Sequence, residues 1–102
     1  MTDYTRDQIT ELNITLSTEF SLYVVEHPDF AARIPKGARV VLLPKNDPEL
    51  SRINREIAEK ARSKDDQPDR PVIFIEFERL KPVRSRLVKP RVVRPGRALQ
   101  AA

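Results

Sequence analysis

The chain has 102 residues, of which 39% are apolar and 33% charged, enough for one domain with a thin core. It contains no cysteine, no tryptophan, one histidine and two glycines; this excludes a disulfide framework, thiolate metal sites and a cysteine nucleophile, and removes most zinc sites, Ser-His-Asp chemistry and Gly-rich phosphate loops. The formal net charge of +4 is unevenly spread, because residues 1–80 carry 12 Lys/Arg against 15 Asp/Glu while residues 81–102 carry seven basic residues and no acid. A mildly acidic body of residues 1–80 is thus joined to a basic arm of residues 81–102.

No stretch approaches the roughly 18 uninterrupted apolar residues of a membrane helix. The polar start from Met1 to Asp7 lacks the apolar segment of a secretory signal. A cytoplasmic protein with no membrane association and no cofactor is expected.

Thr5 and Gln8 have capping-box spacing, in which hydroxyl and amide each satisfy the other residue's backbone N–H, so a helix is predicted from Thr5. Ile9, Leu12, Leu16, Phe20, Tyr23 and His27 then form one stripe about five turns long. Pro28 ends the helix, since the residue before a proline is pushed out of the helical region. His27 has no cysteine and no suitably angled carboxylate beside it, so it is expected to bond a carbonyl at the helix end rather than a metal. Asp29 is expected to cap a short turn through Phe30, Ala31 and Ala32, which Pro35 and Gly37 close.

Ala38 to Leu43 is apolar after Arg39 and β-branched at Val40 and Val41, which predicts a strand covered on both faces. Asp47, Pro48 and Glu49 supply an N-cap, a first helical proline and a favourable charge for a second helix. That helix is predicted to bury Leu50, Ile53, Ile57 and Ala61, with Arg52/Glu56, Arg55/Glu59 and Glu56/Lys60 at i, i+4 on its wet faces. A polar loop over 63–69 leads to Pro71–Phe77, the strongest strand signal in the chain.

The order is α-β-α-β, a small α/β domain built on a parallel βαβ unit. Two parallel strands leave both edges open, so the arm or a second copy of the chain is expected to complete the sheet. The first helix agrees with a second copy, because Ile14, Leu22 and Val25 lie away from its main stripe. Scattered surface aliphatics are the plain reading of those three residues; a dimer contact is the sharper one.

The arm cannot be one long helix, because Pro82, Pro90 and Pro95 interrupt it. Arg86-Leu87-Val88-Lys89-Pro90 and Arg91-Val92-Val93-Arg94-Pro95 repeat a pattern of basic, two aliphatics, basic, proline. An extended arm that docks on a protein fits the aliphatic pairs. Nucleic-acid binding through Arg84, Arg86, Lys89, Arg91 and Arg94 is the alternative, weakened because the arm has no aromatic residue to stack on bases. Gly96 to Ala102 reads as a disordered terminus.

Asn13, Glu19 and Asn54 flank the helix stripes, and the asparagines are expected to bond the backbone of a neighbouring loop. The crevice at the carboxyl ends of the strands is the usual ligand position in open α/β sheets. Lys45, Asn46 and Arg79 are its candidate anion site, in a small-anion or nucleotide-binding enzyme. Asp47 and Glu49 already occupy the helix start, and no glycine opens it to a phosphate. No nucleophile–base pair or metal cluster is legible.

Asn13, Glu19-Phe20, His27-Pro28, Ile34-Pro35, Gly37-Ala38, Val40 to Leu43, Asp47 to Leu50, Asn54, Ala58, Pro71-Val72 and Ser85-Arg86-Leu87 together resemble a family of short prokaryotic proteins known only as a domain of unknown function. The likeness covers most of residues 8–88. It implies a small standalone module and supplies no activity, substrate or partner. The reading that follows is a non-enzymatic, dimeric module that binds another macromolecule.

Overall fold

The computed structural model describes residues 3–67 and 69–96. Its elements are α1 (Arg6–Glu26), α2 (Pro28–Ala31), β1 (Arg39–Pro44), α3 (Pro48–Ser63) and β2 (Val72–Phe77). The Thr5/Gln8 capping box opens α1: the Thr5 hydroxyl accepts from the Gln8 N–H at 3.1 Å, and the Gln8 side chain accepts from the Thr5 N–H at 2.8 Å. At the other end His27 is the C-cap, with its Nδ1 2.9 Å from the Tyr23 carbonyl and its ring stacked on Tyr23. Asp29, expected from sequence to cap this turn, does not do so; His27 holds the N-cap position without a side-chain bond, and Asp29 sits inside the first turn. Pro28 at the first helical position starts this turn by its fixed φ alone. Gly37 then takes φ +77, a left-handed conformation that suits a residue without Cβ, and the chain enters β1.

β1 and β2 are parallel neighbours, in register from Arg39↔Val72 to Pro44↔Phe77. The pairing begins where the Arg39 N–H reaches the Pro71 carbonyl at 2.8 Å and continues past the strands to Lys45 N–H on Phe77 C=O. Both faces of β1 are covered, as its unbroken apolar run predicts. On one face Leu42 packs with Leu16 of α1 and Leu50 of α3, ringed by Tyr4, Ile9, Leu12, Phe20, Val40, Ile75 and Phe77. On the other, Val41 and Leu43 meet Ala58 of α3 and Val72 of β2.

α3 starts at the expected cap, with the Asp47 carboxylate accepting from the Leu50 N–H at 3.1 Å. Its buried residues are Leu50, Ile53, Asn54 and Ala58, whereas Ile57 is 48% exposed. The expected stripe through Ile57 is therefore turned toward Asn54. The cause is polar: the Leu42 carbonyl needs a donor, and Asn54 supplies it at 2.8 Å.

From Glu78 to Gly96 every residue is exposed, and 79–96 form neither helix nor strand. The molecule measures 68 Å along its longest axis, with a radius of gyration of 20.5 Å, against about 13 Å for a compact domain of this length. The expected disordered terminus past Gly96 lies outside the described residues.

Candidate functional site

In a parallel ladder alternate residues point their N–H and C=O to opposite sides. Since Arg39 and Lys45 donate to β2, Val40, Leu42 and Pro44 turn their backbone groups away from it. The second half of that outer edge is closed from within. The Leu42 carbonyl takes the Asn54 amide, while the Pro44 carbonyl takes the Asp47 N–H at 3.2 Å and the Ser51 hydroxyl at 2.7 Å. Pro44 itself has no N–H to offer.

Asn13 and Asn54 donate to each other's carbonyl at 2.9 Å in both directions. This cyclic amide pair ties α1 to α3 across the edge of β1, above a groove of about 180 Å³ that also takes in Ser17, Arg39 and Ile57. The asparagines are structural, as expected, but their partners are one another and a strand carbonyl rather than a loop. Glu19 is exposed on α1.

At the carboxyl ends of the strands, Asp47 caps α3 and also accepts the Tyr4 hydroxyl. That bond to the carboxylate is the first cause holding the Tyr4 phenol above its ordinary pKa. The Lys45 ammonium lies 3.4 Å from Glu76, and the Asn46 N–H donates to the Glu78 carbonyl at 3.1 Å. Arg79 is exposed on the segment leaving β2. Among the described residues no hydrogen bond or ion pair joins any two of Lys45, Asn46 and Arg79.

The most constrained ionised group lies at the opposite end of the sheet. Asp65, with a side chain only 6% exposed, accepts from Arg39 and Arg70 at 2.9 Å each and from the Gln67 N–H at 2.8 Å. The Gln67 N–H, and next the Arg39 guanidinium, bring its pKa down from 3.8 to about 2. Arg70 reaches on to the Gln67 side chain at 3.1 Å. The cluster pins the 63–70 loop to the start of β1. Sequence reading missed both this cluster and the Tyr4–Asp47 bond; the one local signal was Asp65-Asp66-Gln67, whose spacing favours an Asx-turn.

Three sets stand out among the exposed apolar residues. On α1, Ile14, Leu22 and Val25 are 61%, 50% and 79% exposed. On β2, Phe74 is half exposed, with the Arg55 guanidinium 4.9 Å from its ring centroid. On the arm, Val83, Leu87, Val88, Val92 and Val93 are all exposed among Arg84, Arg86, Lys89, Arg91 and Arg94. Among the described residues no group of three His, Cys, Asp or Glu side chains could hold a metal ion, and no helix is long and apolar enough to cross a membrane.

The model of a family of unknown function (DUF5647) matches residues 8–90. The chain belongs to this family. The matched stretch takes in α1 from Gln8 onward, the other two helices, both strands and the first ten residues of the arm, in line with the resemblance carried by the short motifs from Asn13 to Leu87. Comparison with curated proteins and with solved structures returns no match.

Proposed function

We propose that this DUF5647 chain is a small non-catalytic interaction module, acting as a dimer, that binds another macromolecule through its basic arm. The observation that carries the reading is the arm itself: five exposed aliphatic side chains interleaved with cations on an extended segment. Exposed aliphatics in that number are costly unless something covers them, since each buried methylene is worth about 0.8 kcal/mol. The interleaved cations favour a partner surface that is acidic as well as apolar, and a protein offers both.

Among the described residues no side-chain set in the body competes as a reaction centre. The helix start that would receive an anion holds the Asp47 carboxylate, and the two amides of the groove beside β1, Asn13 and Asn54, are already bonded to one another. The cations keep a second reading in view, because they suit phosphates.

One comparison separates the two. In the 102-residue chain, Leu87→Asp with Val93→Asp removes apolar contacts, and Arg86→Ser with Arg91→Ser removes cations. A protein partner recovered by the parent chain is expected to be lost with both pairs. Binding of a nucleic-acid duplex that survives the aspartates, vanishes with the serines and falls steeply with salt would replace the protein reading. Retention of the same partners by all three chains would overturn the role of the arm.

A further inference from the structure

The dimer half of that reading leaves open which surface pairs, and we infer that it is the outer edge of β2, joined antiparallel to the same strand of a second copy across a two-fold axis. Ile73, Ile75 and Phe77 face β1 in the ladder, so Val72, Phe74 and Glu76 turn three N–H and three C=O groups outward. No hydrogen bond to those groups exists among the described residues. The second half of the β1 edge is closed by Asn54, Ser51 and Pro44, which satisfy or lack the outward groups there, whereas β2 has no such guard anywhere along its length. It carries no proline, lysine or bulge within Val72–Phe77, and Glu76 is its one charged residue. A two-stranded sheet is also marginal alone, and pairing two copies makes a mixed sheet of four strands, β1-β2-β2-β1.

The strand is self-complementary when Phe74 lies on the axis. Phe74 then faces Phe74 of the second copy, Val72 faces Glu76, and all six outward backbone groups find partners. On the opposite face Ile73 meets Ile75 of the second copy, which extends the apolar surface formed by Val40, Leu42 and Ile75. The charges agree with this register. A shallow groove of about 70 Å³ between α3 and Val72 is lined by Arg55, Arg62 and Glu59, and the register brings Glu76 of the second copy to its mouth. Beyond the strand, Arg79 and Lys81 leave alongside the loop that precedes β2 in the second copy, where Asp66 and Asp69 are exposed. The acidic loop and the basic arm then neutralise one another between subunits.

The chain's lack of cysteine makes the register directly testable. Residues facing each other as a hydrogen-bonded antiparallel pair have Cα atoms about 5.5 Å apart, inside the roughly 4.4–6.8 Å that a disulfide spans. Phe74→Cys is therefore expected to give a disulfide-linked dimer on mild oxidation, and Leu22→Cys on α1 is not. In the unlabelled chain Glu76→Lys, which sets a cation beside Arg55 and Arg62, is expected to raise the dimer dissociation constant roughly tenfold or more in sedimentation. Adding Arg62→Glu is expected to restore most of the loss. A dimer that cross-links through Leu22 and not through Phe74, or that ignores Glu76→Lys, would overturn the edge pairing while leaving a dimeric module standing. A parent chain that stays monomeric over the whole dilution series would remove both.

Discussion

Asn54 is a polar residue buried in the core with three side-chain hydrogen bonds. It is 7% exposed, donates to the Leu42 carbonyl and exchanges two bonds with Asn13. Asn54→Leu keeps the branched shape, though not the volume, and strands the Leu42 carbonyl and both amide atoms of Asn13, so an equilibrium loss of about 1–3 kcal/mol is expected in urea unfolding. Adding Asn13→Leu should recover part of that loss, because only the Leu42 carbonyl then remains unpaired; strict additivity would show that the amide pair is not coupled. Asp65 makes a different prediction, in pH. Its folded pKa is depressed from 3.8 to about 2, so the unfolded chain binds the proton first. The stabilisation is fully present above the unfolded value and is lost as pH falls through the folded one. Thermal midpoints should be insensitive to this group above about pH 5 and should drop between 3.8 and about 2, and Asp65→Asn should flatten that part of the profile while lowering the neutral plateau.

At the scale of elements, what was legible in the sequence was local. Thr5 with Gln8 and Asp47 with Pro48 are motifs within four residues, so spacing alone located the starts of α1 and α3. Val40 to Leu43 and Val72 to Phe77 announced themselves by apolar, β-branched runs. Apart from the Asp29 cap, a local misreading, the features that escaped are the non-local ones. Asn54 bonds a residue 41 positions away and Tyr4 one 43 positions away, and Arg39 meets Asp65 across 26; no periodicity records such pairings. The Ile57 error has the same origin, since an apolar wheel cannot know that a strand carbonyl will claim the next face. Which edge of the sheet stays open was equally hidden, because it depends on the parity of the ladder and on Pro44. The cap of α3 is the element most open to test: Asp47→Ala removes both the Leu50 N–H acceptor and the anchor of Tyr4, and should cost about 1–2 kcal/mol, more than Thr5→Ala at the exposed start of α1.

For the whole molecule, the division into a packed body and an exposed arm has a thermal consequence. Leu16, Leu42 and Leu50 form a core without the arm, so the proposed dimer rather than the arm should govern melting. The melting temperature should rise with protein concentration, and arm substitutions such as Arg91→Ser should leave it within a few degrees. Millimolar phosphate and nucleotides should give no upward shift, because Asp47 holds the helix start and Lys45 faces Glu76; a concentration-dependent rise would instead point to a ligand site at Lys45, Asn46 and Arg79.

The tyrosine that clasps the third helix also gives the chain its own optical label. There is no indole to mask it, and only two phenols absorb in the near ultraviolet. Tyr4 donates to the Asp47 carboxylate and gives up its proton above the ordinary phenol value. In alkaline spectrophotometric titration, phenolate colour from this ring should therefore lag in the folded chain and advance to normal in Asp47→Ala, so that a simple absorbance reading reports whether the amino-terminal strap is fastened.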